Sequence, residues 1–230
     1  MAMTQRTPGA LGVIMLETRF PRLLGDIGNP DSLAWPVRYE IVQGASPQRV
    51  IRQGASGLLE PFVRAARRLV ARGCRALTTS CGFLAMYQTE LAAAVAVPVA
   101  TSSLCQIAAL DAGLAEGRRC GVITIAADAL SPVHFRAVGA APDTPTVGMA
   151  ADGEFARAIL GDQPSMDAAL LCAEVLAAGR LLLRRHPEVA AIVLECTNMP
   201  PYADALRAAT GLAVYDVLTL AADLMAQSAG

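Results

Sequence analysis

One pattern occurs twice in the chain, and a duplicated pattern restricts the fold to two related halves. Cys81 opens CGFLAMYQTELAAAVAVPVATSS, and Cys196 opens CTNMPPYADALRAATGLAVYDVL. Both copies carry a tyrosine six residues on, Tyr87 and Tyr202, and a valine eighteen residues on, Val99 and Val214. A strand-like run precedes each cysteine, RALTTS in one copy and AAIVLE in the other. The two thiols are therefore expected at equivalent strand-to-helix turns, one on each wall of a cleft.

Around these copies the apolar pattern alternates between short runs and helical spacing. Strands are expected at 11–16, 37–42, 75–80, 97–101, 120–125, 144–148, 189–195 and 212–216, with helices at 57–72, 83–95, 103–115, 128–138, 166–185, 200–209 and a closing helix to 227. Alternating strands and helices imply parallel sheets flanked by helices. The expected fold class is α/β, with two pseudo-symmetric lobes, each a mostly parallel sheet, and a cleft between them. Residues 1–101 with 217–230 would form the first lobe, carrying Cys81, and residues 102–216 the second, carrying Cys196. Ligands of such sheets bind beyond the C-terminal strand ends, where helix amides point. Glu17, Thr18, Ser80, Gly82, Thr124, Glu195, Thr197 and Asn198 all fall at such ends.

Composition narrows the function classes. Hydrophobic residues make up 54% of the chain and charged ones 17%, so disorder is excluded. The net charge of −1, without a basic block, argues against nucleic-acid binding. The most apolar stretch, at 91–100, contains Pro98 and falls short of the roughly 18 residues a membrane span needs. Glu17 and Arg19 interrupt the apolar run near the N-terminus, which speaks against a signal peptide and for a cytoplasmic protein. Six cysteines without a CxxC pair, and only two histidines, give no metal site and read as free thiols. No lysine occurs anywhere; all 19 basic residues are arginine. Pyridoxal phosphate is held as a lysine Schiff base, so that cofactor is excluded and none is expected. The apolar helices leave room for a homo-oligomer.

Chemistry at the pair follows from position. A thiol at a helix N-terminus is acidified by unpaired amides, so Cys81 and Cys196 are each expected to serve as a base near neutral pH. One thiolate would take the proton next to a carboxylate and the opposite thiol would return one, the two titrating as a coupled pair. Donors from Ser80, Gly82, Thr197 and Asn198 would stabilise the developing charge. Phe83 adds an apolar wall. Cys74, Cys105, Cys120 and Cys172 read as small buried hydrophobes, and Tyr87 and Tyr202 as packing residues. Arg19 has the chemistry of a carboxylate clamp or of a surface ion pair, and His134 that of a substrate contact or a satisfied surface histidine.

LGVIMLET near the N-terminus, TTSCGF at the first cysteine and LECTNMP at the second resemble the aspartate/glutamate/hydantoin racemase superfamily over nearly the whole chain. The resemblance implies two α/β lobes clasping a cleft, no cofactor or metal, and opposed cysteine acid and base. It implies that Glu17 and Thr18 are the first-strand acid and hydroxyl, and that Ser80, Gly82, Thr197 and Asn198 hold a substrate carboxylate. Gly82–Phe83 and Asn198 depart from the glutamate-racemase pattern and put a second substrate carboxylate in doubt. The expected activity is a cofactor-independent racemase or epimerase acting α to a carboxylate, on an amino-acid or hydantoin-like substrate. Alternatives are a cis–trans isomerase or decarboxylase of the same superfamily relying on Cys196, or a non-catalytic binder of small carboxylates.

Overall fold

The computed structural model describes residues 9–228. Strands β1 (Ala10–Leu16), β2 (Val37–Val42) and β3 (Cys74–Thr79) form one sheet in the order β2-β1-β3. Strands β4 (Arg119–Thr124), β5 (Thr146–Gly148), β6 (Val189–Leu194) and β7 (Ala213–Tyr215) form the second, in the order β5-β4-β6-β7. Every pairing is parallel. β1 is buried along its whole length, as an apolar run covered on both faces must be.

The internal repeat extends to hydrogen-bond register. Gly12 pairs with Leu77 in the first sheet and Gly121 with Ile192 in the second, and both central strands carry an irregularity at their start. Leu77 pairs onward with Val99, and Ile192 with Val214. The strand expected at 97–101 is thus reduced to one bridge, whereas its counterpart β7 is a short strand. Pro98 has no N–H for a ladder, and Gln88 Oε1 then takes the Thr101 N–H at 2.8 Å, pulling the chain off the sheet.

Helices cover the sheets: α1 (Leu59–Ala71), α2 (Gln88–Ala93), α3 (Ile107–Gly113), α4 (Pro132–Ala137), α5 (Ala168–Arg185), α6 (Ala203–Thr210) and α7 (Val217–Gln227). α1 buries Phe62, Val63, Ala66 and Leu69 and leaves its arginines outside, each full aliphatic burial being worth about 1.5–3 kcal/mol. Gly73, at φ 86°, supplies the left-handed residue that ends this helix region. α7, capped by Asp216, returns to the first sheet and packs Val217, Leu220 and Leu224 with Leu11, Val13 and Ala76. The helices expected to start right after each cysteine region begin instead as 3-10 turns, Gly82–Tyr87 and Pro200–Tyr202. Two further helical turns, Gln48–Arg52 and Ala156–Leu160, have the wide π geometry and had no counterpart in the sequence pattern. Among the described residues no helix is long and apolar enough to cross a membrane.

Candidate active site

The C-terminal ends of the two sheets form a narrow cavity, and both Cys81 and Cys196 line it. Its lining repeats the internal symmetry. Leu16 at the end of β1 is matched by Ile125 just after β4, and Ile51 and Ile159 come from the two π turns. Ser80, Cys81, Gly82 and Phe83 on one wall stand in register with Glu195, Cys196, Thr197 and Asn198 on the other. Thr18, Phe20 and Pro47 complete the lining.

Each wall is fixed by its own hydrogen bonds. Ser80 N–H donates to Ile14 O at 3.0 Å, and Glu195 N–H to Ile123 O at 2.9 Å, so both cysteines leave their sheets at the same point. Ser80 Oγ accepts the Leu16 N–H at 2.9 Å, and Thr197 O–H crosses to Ser80 O at 2.7 Å, tying the walls together. Thr79 Oγ1 lies 2.7 Å from Thr101 O and accepts the Cys81 N–H at 3.3 Å, which sets the turn. Cys196 Sγ donates to Asn198 Oδ1 at 3.5 Å, while Asn198 Nδ2 donates to Asp26 Oδ2 at 2.6 Å. Asp26 in turn accepts from Arg22 Nη1 at 3.1 Å, and Arg22 Nη2 donates to Thr18 Oγ1 at 2.8 Å.

The thiols differ from the sequence expectation in their acidity. Cys81 and Cys196 are each only 7% exposed, and burial pushes both thiols well above the ordinary cysteine range. The Glu195 carboxyl pushes both further up, and Asp26 adds to this at Cys196. Backbone amides of Phe83 and Leu84 favour the Cys81 thiolate, and that of Asn198 favours the Cys196 thiolate, without overcoming burial. A short 3-10 turn presents few free amides, so both groups rest as neutral thiols rather than as bases poised near neutrality. Glu195 is itself fully buried, and desolvation raises its carboxyl to about 7 despite a hydrogen bond from Thr124.

Ser80, Gly82, Phe83, Thr197, Asn198 and Thr18 line the cavity beside the two cysteines. Thr124 lies one layer beneath, fully buried, donating to Glu195 Oε2 at 2.7 Å. Glu17 does not reach the cavity: β1 ends one residue earlier, and its exposed carboxylate accepts the Gly44 N–H at 2.7 Å. Arg19 is exposed and paired with Asp162 at 3.2 Å. His134 caps α4 together with Ser131 and meets Phe83 edge-on at 5.4 Å, supporting the wall from behind, with burial holding its ring below the usual histidine value. Tyr87 O–H donates to Ala55 O, and Tyr202 stacks edge-on with Phe155. Sequence reasoning missed Arg22 and Asp26, which sit in a Gly/Pro-rich loop without periodicity, and it placed Glu195 at a strand end beside Cys196 without giving it a role. Among the described residues no cluster of three His, Cys, Asp or Glu side chains has the arrangement of a metal site.

No family model matches the chain. It is 29% identical over 225 residues to a dimethylsulfoniopropionate lyase of Durusdinium sp. clade D, an alignment covering 92% of this chain and 72% of that protein. It is 30% identical over 222 residues to dimethylsulfoniopropionate lyase 7 of Emiliania huxleyi strain CCMP1516, covering 91% of this chain and 64% of that one. The chain thus spans less than two thirds of the second relative's length. Among solved structures, the allantoin racemase of Klebsiella pneumoniae superposes with a TM-score of 0.65 at 16% identity, covering 95% of this chain and 86% of that one. Unliganded arylmalonate decarboxylase gives 0.61 at 16% identity, covering 96% and 93%, and Picrophilus torridus aspartate racemase 0.56 at 13%, covering 96% and 94%. The chain has the two-lobed fold of these racemases and of arylmalonate decarboxylase.

Proposed function

We propose that the protein is a carbon-acid lyase that removes the proton α to a carboxylate with a cysteine thiolate and expels a sulfonium group from the β carbon, dimethylsulfoniopropionate being the substrate. The observation that carries this reading is the electrostatic character of the cavity. It holds two thiols and a buried acid, and among the described residues no arginine lines it. An acidic, desolvated cavity opposes thiolate formation when empty. A bound sulfonium cation reverses that balance, because an opposite charge within a few ångströms favours the ionised thiol. Phe83 supplies an aromatic side chain to the lining, of the kind that attracts such a cation, and Phe20 already carries the Arg22 guanidinium 4.4 Å from its ring centroid. The substrate carboxylate is left to the Thr18 and Ser80 hydroxyls, the Asn198 amide and the backbone around Gly82.

In the reaction the thiolate accepts the α proton, the carbon–carbon double bond forms, and the carbon–sulfur bond breaks with its electron pair on sulfur. Dimethyl sulfide and acrylate leave, and the thiol returns its proton to solvent. The names of the relatives, dimethylsulfoniopropionate lyases, support the same reading.

A second reading, racemisation α to a carboxylate, is favoured by one observation: both thiols line the same cavity. Elimination needs one base; racemisation needs an acid opposite it. Headspace detection of dimethyl sulfide from dimethylsulfoniopropionate, with Cys81→Ala and Cys196→Ala, separates the two. Loss of the base should cost about 10²–10⁴-fold in kcat/KM. Absence of dimethyl sulfide, together with α-deuterium uptake by amino acids or hydantoins that both variants abolish, would replace the lyase reading with the racemase one.

A further inference from the structure

Glu195 is the one acid among the residues lining the cavity, and its two oxygens have unequal surroundings. Oε2 accepts the Thr124 O–H at 2.7 Å, whereas Oε1 is buried without any partner. An ionised carboxylate so placed would leave a buried lone pair and its charge uncompensated. A neutral acid fits better. Thr124 occupies the acceptor oxygen, so the proton belongs on Oε1, as a donor with nothing yet to donate to. The bare Cα of Gly82 lies directly against Oε1, where any side chain would overlap it.

We infer that Glu195 is a further catalytic residue, a neutral carboxylic acid whose Oε1 hydrogen donates to the substrate carboxylate as negative charge builds there during loss of the α proton. This rests on the reading of the cavity as a site of α-proton removal, by elimination or racemisation alike. Removal of that proton spreads charge onto the carboxylate oxygens, and preorganised donors in a dry site are worth most where charge develops. With no arginine among the described residues of the lining, a neutral buried acid is the strongest side-chain donor there. Burial holds the Glu195 carboxyl near neutrality, at about 7. The ionisable groups facing this region are Cys81 after β3, Cys196 next in the chain, and the paired Asp26 and Arg22 from the loop after β1.

The active form pairs neutral Glu195 with one thiolate, and it carries the same net charge as ionised Glu195 with two thiols. Wild-type kcat/KM for dimethylsulfoniopropionate should therefore climb with pH and level off near 7. Glu195→Gln keeps a donor but cannot ionise, so its profile should go on climbing. Glu195→Leu, which has no donor, should fall about 10²–10³-fold below the Gln variant at pH 6. Infrared spectra supply a readout free of turnover. The protonated-carboxyl C=O band present in the wild type, and missing in Glu195→Gln, should shift to lower frequency when propionate binds. A Leu variant as active as the Gln variant, a wild-type profile that does not level, or a Glu195 band indifferent to propionate would each overturn the inference. A band that shifts with propionate in a protein releasing no dimethyl sulfide would leave Glu195 a donor and discard only the proposed substrate.

Discussion

The two cysteine walls share register and differ in chemistry. Positions that are Ser80, Gly82 and Phe83 on the first wall are Glu195, Thr197 and Asn198 on the second. The first wall presents its thiol to backbone: amides of Phe83 and Leu84 approach Cys81, and Thr79 pins the turn. The second presents its thiol to ionisable and amide side chains, with Glu195 beside Cys196 and Asn198 relaying to Asp26. Duplication thus supplied two matching thiol positions, and substitution around one of them concentrated the charge. Shape is common to both walls; sensitivity to charge and pH resides in the second.

The largest effect expected from that asymmetry comes from Asp26. Its side chain is 3% exposed and pairs with Arg22, 14% exposed, while also holding Asn198. Asp26→Ala strands a mostly buried guanidinium and frees the Asn198 amide, at a cost of about 3–5 kcal/mol in urea unfolding. Arg19→Ala breaks the exposed pair with Asp162 and should cost less than about 1 kcal/mol. If the two variants are equally stable, the second wall does not depend on the loop after β1.

A somewhat smaller effect is expected from pH. The Glu195 carboxyl is raised from its ordinary 4.5 to about 7 by burial, so its folded value lies above the unfolded one. The protein holds this contribution in full below pH 4.5 and loses it as pH rises through about 7. About 3 kcal/mol of stability should disappear across that interval. Thermal melts of Glu195→Gln should lack this loss, whereas Ser80→Ala, altering the matching position on the first wall, should keep it. An unchanged pH dependence in the Gln variant would remove Glu195 as its origin.

Much of this arrangement was legible in the sequence because it follows from period and spacing. The parallel strands, the two-lobed architecture and the position of both cysteines at strand ends require only apolar runs and a repeat, whereas the order of strands within each sheet is visible only in the structure. Glu195 was visible as a strand-end residue, but its role depends on burial, which no local pattern encodes. The acidity of the cysteines was misjudged for the same reason. A helix N-terminus lowers a thiol's pKa only where water or enough free amides accompany it, and here a 3-10 turn and near-complete burial supply neither. Glu17 was placed in the site by its position after β1, yet the Gly44 turn offers it an exposed amide and it points there. Arg22 and Asp26 reach the cysteines only because an irregular loop folds back over the second lobe.

The smallest of these effects tests whether the departures at the two walls are one event or two. A Cβ at Gly82 would overlap both Glu195 Oε1 and the Glu195 carbonyl oxygen, so the glycine on the first wall is the space that the glutamate on the second requires. The φ of Gly82 is not in the left-handed region, so the demand is steric and not conformational. Because a backbone oxygen is involved, a rotamer change cannot relieve the clash, and Gly82→Ala should cost about 1–3 kcal/mol, as overpacking does. Gly113→Ala, with nothing near the added methyl, serves as the control and should be neutral or slightly stabilising. Trimming the carboxyl in the double variant Gly82→Ala/Glu195→Ala removes one of the two overlaps and should recover part of the loss. Additive costs in the two single variants would mean that Gly82 and Glu195 were selected separately. A recovery of 0.5 kcal/mol or more, on the order of couplings between touching residues, would tie the two walls into a single unit.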